Sequence, residues 1–157
     1  MLQRRRKNQR GLTLIELIVA FSIMLLLTTM SLPLARAKVR RDRERELRHA
    51  LEDIRKAIDK YNDYATAGLI PPGKVDSDKY PESLQQLVEG VKLNGQVDKK
   101  IRFLRRIPQD PFTHSVDWGV RSTQDDPTSM SWGGQNVFDV YTKTYEKAPD
   151  GSNYSDW

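Results

Sequence analysis

The chain has 157 residues, enough for one modest domain and an extension, and no cysteine, which excludes disulfides and thiolate metal sites as supports of the fold. Its formal charge is +5, but Arg4, Arg5, Arg6, Lys7 and Arg10 lie in the first eleven residues without an acid, and removing them from the 26 basic residues leaves 21, equal to the 21 acidic ones. A nucleic-acid binder needs its positive charge on a working surface, so that class is set aside.

After this basic tag, residues 12–34 read LTLIELIVAFSIMLLLTTMSLPL, an apolar run with a single charge, Glu16. As a helix the run spans roughly 34 Å, enough to cross a bilayer core. Ser22, Thr28, Thr29 and Ser31 can return their hydroxyls to the helix backbone, and Pro33 lies near the far end, where loosening is tolerated. Five basic residues precede the run and seven follow it (Arg36, Lys38, Arg40, Arg41, Arg43, Arg45 and Arg48), so charge counting alone does not orient it. An ionised carboxylate costs about 2.5–3.5 kcal/mol at the centre of such a run and less near its edge. On position alone, Glu16 reads equally as a side chain that snorkels to the headgroups and as one that needs a partner.

The helical pattern continues past Pro33. Leu47, Leu51, Ile54, Ile58, Tyr61 and Ala65 recur in steps of four and three, Ala50 and Ala57 widen the stripe, and no Gly or Pro lies between Ala35 and Tyr64. One helix over 12–65 is predicted. Its stretch 36–46 is charged nearly all round, as in a solvated neck or a subunit contact; Glu44 with Arg48 and Glu52 with Lys56 are attractive pairs. Gly68 and Pro71-Pro72-Gly73 end the helix. A short helix is predicted at 81–88 with Pro81 in its first turn, then a short apolar and basic segment at 102–107. Strands are predicted at 116–120 and 137–141, with structured loops at 122–127 and 132–134 between them. Asp125-Asp126 suits a turn before Pro127, and Trp118, Trp132 and Trp157 suit pins that hold loops to a thin core. His49 and His114 have no ligand-like spacing, and no phosphate loop or nucleophile with a paired base is visible. The chain is therefore expected to be no enzyme and to hold no cofactor.

RRRKNQRGLTLIELIVAF joins a basic leader, Gly11 and an apolar run whose fifth residue is Glu16. It resembles the class III signal of type IV prepilins and type II secretion pseudopilins. KYPESLQQLVEG, FLRRIPQDPFT, WGVRS, NVFDVYT and DGSNYSDW are similar to the head of the major pseudopilin of type II secretion. The resemblance implies cleavage after Gly11 by a prepilin peptidase on the cytoplasmic face and methylation of Leu12, where the family usually has Phe. It implies that Glu16 neutralises the terminal amine of a neighbouring subunit, and it matches Pro33 to a helix-loosening proline. The implied fold is α+β and pilin-like: a cleaved leader 1–11, a membrane and filament-core half-helix 12–34, an amphipathic half 35–65, and a small antiparallel-sheet head 66–157.

The function so implied is that of the major subunit of a periplasmic pseudopilus that pushes substrates through the outer membrane. Its partners would be identical copies, minor pseudopilins, the prepilin peptidase, an inner-membrane platform protein and a secretion ATPase. It would cross the inner membrane once, with the head in the periplasm. Major pseudopilins often bind calcium in their C-terminal loop, and Asp139, Asp150, Ser152, Asn153, Ser155 and Asp156 are oxygen donors here. The acidic, glycine-rich loop of calcium-binding members is not recognisable, and no metal is expected. Three alternatives stand beside this reading: a surface pilus subunit, a binding module that never polymerises, and an ordinary secretory signal cut at Ala35-Arg36-Ala37. Against the last, the run exceeds the usual 7–15 residues and carries an acid.

Overall fold

A computed structural model describes residues 13–95 and 99–157, without the side chains at 29–34. The chain divides into two compact units at Arg41 and Asp42.

The first unit holds the beginning of a 53-residue helix, α1 (Leu14–Thr66). Thr13 starts it as an N-cap: its carbonyl accepts the Leu17 N–H at 3.2 Å, and its hydroxyl accepts the Glu16 N–H at a long 3.4 Å. The Ser22 and Thr28 hydroxyls donate to the Ile18 and Met24 carbonyls at 2.8 and 2.7 Å, so neither opens the helix. The helix continues through position 33 without a break. Among the described residues no helix is long and apolar enough to cross a membrane. The described apolar side chains run from 14 to 27, about 21 Å of helix against a bilayer core of about 30 Å, and the span expected over 12–34 reaches beyond them at both ends.

The second unit is the head, built on the remainder of α1. Leu47, Ala50, Leu51, Ile54, Ala57, Ile58 and Tyr61 form the buried stripe that the spacing predicts, with Ala65 partly buried beside it. Each fully buried aliphatic side chain contributes roughly 1.5–3 kcal/mol. The helix ends in a Schellman turn: Gly68 (φ 69°) donates to the Ala65 carbonyl and Leu69 to that of Tyr64.

A second helix, α2 (Leu84–Glu89), begins three residues later than the predicted 81, because Ser83 caps it by accepting the Gln86 N–H. Pro81 is instead buried, and its carbonyl accepts the Val137 N–H. Strands β1 (Val91–Lys92) and β2 (Lys100–Ile101) pair antiparallel, a hairpin the sequence reading did not include. Strands β3 (Gly119–Arg121) and β4 (Asp139–Tyr141) pair antiparallel within and just beyond the two predicted strands. Among the described residues the head thus carries two separate two-stranded sheets, and a short 3₁₀ turn spans Tyr154–Asp156. A long helix packed with small antiparallel sheets is the α+β, pilin-like architecture expected.

Gly119 shows why β3 starts where it does. A Cβ there would lie 2.2 Å from the Tyr141 ring, which crosses the strand at that point. Tyr141 in turn donates its hydroxyl to the Met130 carbonyl at 2.9 Å, tying the 122–134 loop to the sheet.

Candidate functional site

The residues singled out at the N-terminus divide between described and undescribed. Gly11 and Leu12 lie outside the described residues, and at Pro33 only the helical backbone is described. Glu16 is exposed in the first turn of α1. There the sequence Thr13-x-x-Glu16 has the form of a capping box, a local role for this segment that the sequence reading missed although the spacing carries it. Carbons cover the flanks of Glu16: Leu14, Ile15, Leu17, Ile18, Val19, Phe21, Ile23, Met24, Leu25, Leu26 and Leu27 are all between 44% and 77% exposed. A contiguous apolar surface of this kind needs a cover, since soluble proteins rarely leave more than a few hundred Å² of it in water.

In the head, two guanidinium groups hold the C-terminal region. Arg55 on α1 donates to both Asp139 carboxylate oxygens at 2.7 and 3.3 Å, to the Trp157 carbonyl at 2.7 Å and to the Val140 carbonyl at 3.2 Å. Arg121, only 4% exposed, lies 3.6 Å from the same carboxylate, donates to the carbonyls of Ser129 and Ser155, and covers the Tyr141 ring. Arginine suits this position because its planar fork reaches several acceptors at once. The sequence reading missed this role: the predicted strand stopped at 120, and only the pairing of β3 with β4 turns Arg121 inward.

This network accounts for several of the oxygen donors weighed for calcium. Asp139 and the Ser155 carbonyl receive guanidinium N–H groups. Asp150 accepts the Ser152 hydroxyl and N–H, bonds that hold its carboxyl below the usual range. Asp156 accepts from Asn153 at 3.0 Å. Among the described residues no group of three or more His, Asp or Glu side chains is placed to hold a metal ion.

The tryptophans divide. Trp118 is buried and donates to the Pro108 carbonyl at 2.9 Å, and Trp157 lies against Tyr154 and under the Arg48 guanidinium. Trp132 donates to the Asn136 carbonyl yet stays nearly half exposed. Asp125 shapes its loop as expected: one carboxylate oxygen accepts the Ser122 and Gly133 N–H groups, in that order of effect, and its carboxyl is held below the usual range. Glu44 accepts the Tyr154 hydroxyl at 2.7 Å, and Glu52 pairs with Lys56 at 2.8 Å. His49 lies in a groove of about 930 Å³ with Glu46 and Asp53 on one side and Arg105 and Arg106 on the other. His114 adopts a left-handed backbone (φ 53°) and donates its N–H to the Asp110 carbonyl.

One exposed basic surface emerges that the overall balance concealed. Lys99, Lys100, Arg102, Arg105 and Arg106 are all exposed while Ile101, Phe103, Leu104 and Ile107 turn inward. The Tyr80 hydroxyl is pushed up first by burial and then by the carboxylates of Asp59, Asp78 and Asp63.

Residues 6–32 match the family model described as the prokaryotic N-terminal methylation motif. Neither the curated proteins nor the solved structures compared with the chain give a match. The motif covers the leader's end and most of the apolar run. Over these residues the chain is similar to pilin-like proteins, which are structural subunits and not enzymes, processed by a prepilin peptidase and polymerised into filaments.

Proposed function

We propose that this chain is the major structural subunit of a type II secretion pseudopilus, inserted in the inner membrane, cut after Gly11, methylated on Leu12 and polymerised through α1. The observation that carries the reading is the methylation motif at 6–32 running into a helix whose apolar surface is exposed in the single chain. That surface is covered by lipid before assembly and by neighbouring copies after it. Cleavage creates a cationic amine one turn from Glu16. Two charges that are each costly in an apolar core become tolerable together, and pairing between copies sets the register. Pro33 gives the helix room to adjust near the end of the run. The head motifs named in the sequence favour a pseudopilus over a surface pilus.

Co-expression with a prepilin peptidase, followed by intact mass and N-terminal sequencing, tests the reading. The expected product starts at Leu12 and carries one methyl group. A start at Lys38 would identify a secretory signal instead, and a retained leader would remove the processing step altogether.

A further inference from the structure

The proposed function leaves one feature unused, the basic residues that follow the apolar run. Arg36, Lys38, Arg40 and Arg41 fall within six residues of α1, without an acid among them, and all four are exposed. Arg36, Lys38 and Arg41 form no ion pair among the described residues. At 100° per residue they point round the helix, not along one face, with Arg36 and Arg40 a turn apart. Such like-charge spacing destabilises an isolated helix slightly, and it also opposes the usual bias of positive charge toward the cytoplasmic end of a span.

Depth along the helix identifies the partner. If the apolar run ends at residue 34, Arg36 to Arg41 lie about 3 to 10 Å beyond it at 1.5 Å per residue. The headgroup layer on one side of a bilayer is about 5–8 Å deep, so the four cations fall at the level of the lipid phosphates. Their aliphatic stems, with Ala35, Ala37 and the half-exposed Val39 between them, can rest on the acyl boundary while the charged ends reach outward.

We infer that Arg36, Lys38, Arg40 and Arg41 form a collar that binds the headgroups of anionic phospholipids on the periplasmic face and holds the unassembled subunit at a fixed depth. The inference rests on the membrane-inserted reading above. A basic residue near an anionic surface is worth about fivefold in binding, so the four together, if additive, favour anionic over zwitterionic lipid by roughly 600-fold at low salt.

The test reconstitutes the full chain in nanodiscs of phosphatidylcholine containing about one part in five phosphatidylglycerol and measures, by native mass spectrometry, which lipids stay with the protein. The wild type is compared with Arg36→Gln/Lys38→Gln/Arg40→Gln/Arg41→Gln and with the variant carrying Lys at the three arginines. The leader's cations are common to all three, so differences report the collar. The expected result is strong phosphatidylglycerol enrichment for the wild type and the Lys variant, lost in the Gln variant, and lost in about 1 M salt, where the screening length is about 3 Å. Equal enrichment in wild type and Gln variant, with both inserted, overturns the collar and leaves the membrane reading standing. Displacement of the lipid by inorganic phosphate, beyond that by chloride at equal ionic strength, overturns the assignment to lipid in favour of a free anion. Recovery of the chains outside the bilayer overturns the membrane reading and the collar with it.

Discussion

The two ends of α1 solve one problem in opposite ways. Between Leu47 and Tyr61 the apolar residues form a stripe that the chain itself covers, with Phe103 edge-on to Tyr61 and Tyr64 and the Tyr154 ring closing the far side. Between Leu14 and Leu27 they go round the helix, and the single chain leaves them exposed. The first pattern specifies a fold. The second specifies an environment, because apolar surface that a chain cannot bury alone is an instruction to find lipid or another copy. Glu16 marks the difference: it is the one charge in that run, and on the proposed function its partner comes from another copy.

The largest effect should come from Glu16. Glu16→Leu is expected to stay in the membrane fraction and to lose filament assembly by two orders of magnitude or more, because a neighbouring amine left unpaired in an apolar core costs about 3–5 kcal/mol. Fractionation together with electron microscopy of sheared filaments measures both. Normal filaments from this variant would show that register is set elsewhere.

Ile54→Ala is the matching break at the other end. It should destabilise the head by about 3–4 kcal/mol, as a fully buried aliphatic replaced by Ala does, while leaving membrane insertion intact. Leu26→Ala should leave the unfolding midpoint of the head unchanged. Urea unfolding of the detergent-solubilised chain, followed by near-UV circular dichroism, separates the two; equal losses would deny that the ends are covered differently.

Arg121→Met should cost the head about 2–3 kcal/mol, because the carbonyls of Ser129 and Ser155 lose a charged donor that is buried with them. Neither calcium nor a chelator is expected to move the midpoint of the wild type. A calcium-dependent rise would mean that the C-terminal oxygens bind a cation besides the guanidinium groups.

The smallest effect is acid dependence. The Asp125 carboxyl is held below its usual range by the Ser122 and Gly133 N–H groups. Its contribution is present above the unfolded value near pH 3.9 and is lost as pH falls from there through the lowered folded value. The difference in thermal midpoint between wild type and Asp125→Asn should therefore be steady near neutrality and shrink below about pH 4. A difference that grows on acidification would reverse the sign and discard the assignment.

The long helix was legible because its pattern repeats over many turns and because Gly68 supplies the left-handed residue its end requires. The hairpin of β1 and β2 was not, since two-residue strands are too short to show alternation. Its cue lay in Asn94-Gly95, a favoured turn pair, and Asn94 further ties the hairpin to the end of α1 through the Gly68 and Leu69 carbonyls. The start of α2 moved from 81 to 84 because capping by Ser83 decides it. Alternation placed β3 at 116–120, but pairing begins only at Gly119, where the absent side chain admits the Tyr141 ring. The Arg55 and Arg121 contacts join positions distant in sequence, which no local pattern encodes. At the N-terminus the case is different: motif and spacing named Glu16, while the group that answers it belongs, on this account, to another molecule.

A side-chain-resolution structure of the assembled filament tests that account most directly. It should place the amine of Leu12 from one subunit within about 4 Å of the Glu16 carboxylate of a neighbour, with the surfaces of 14–27 packed together around the pair. A Glu16 that faces water, or that meets only the amine of its own chain, would contradict it.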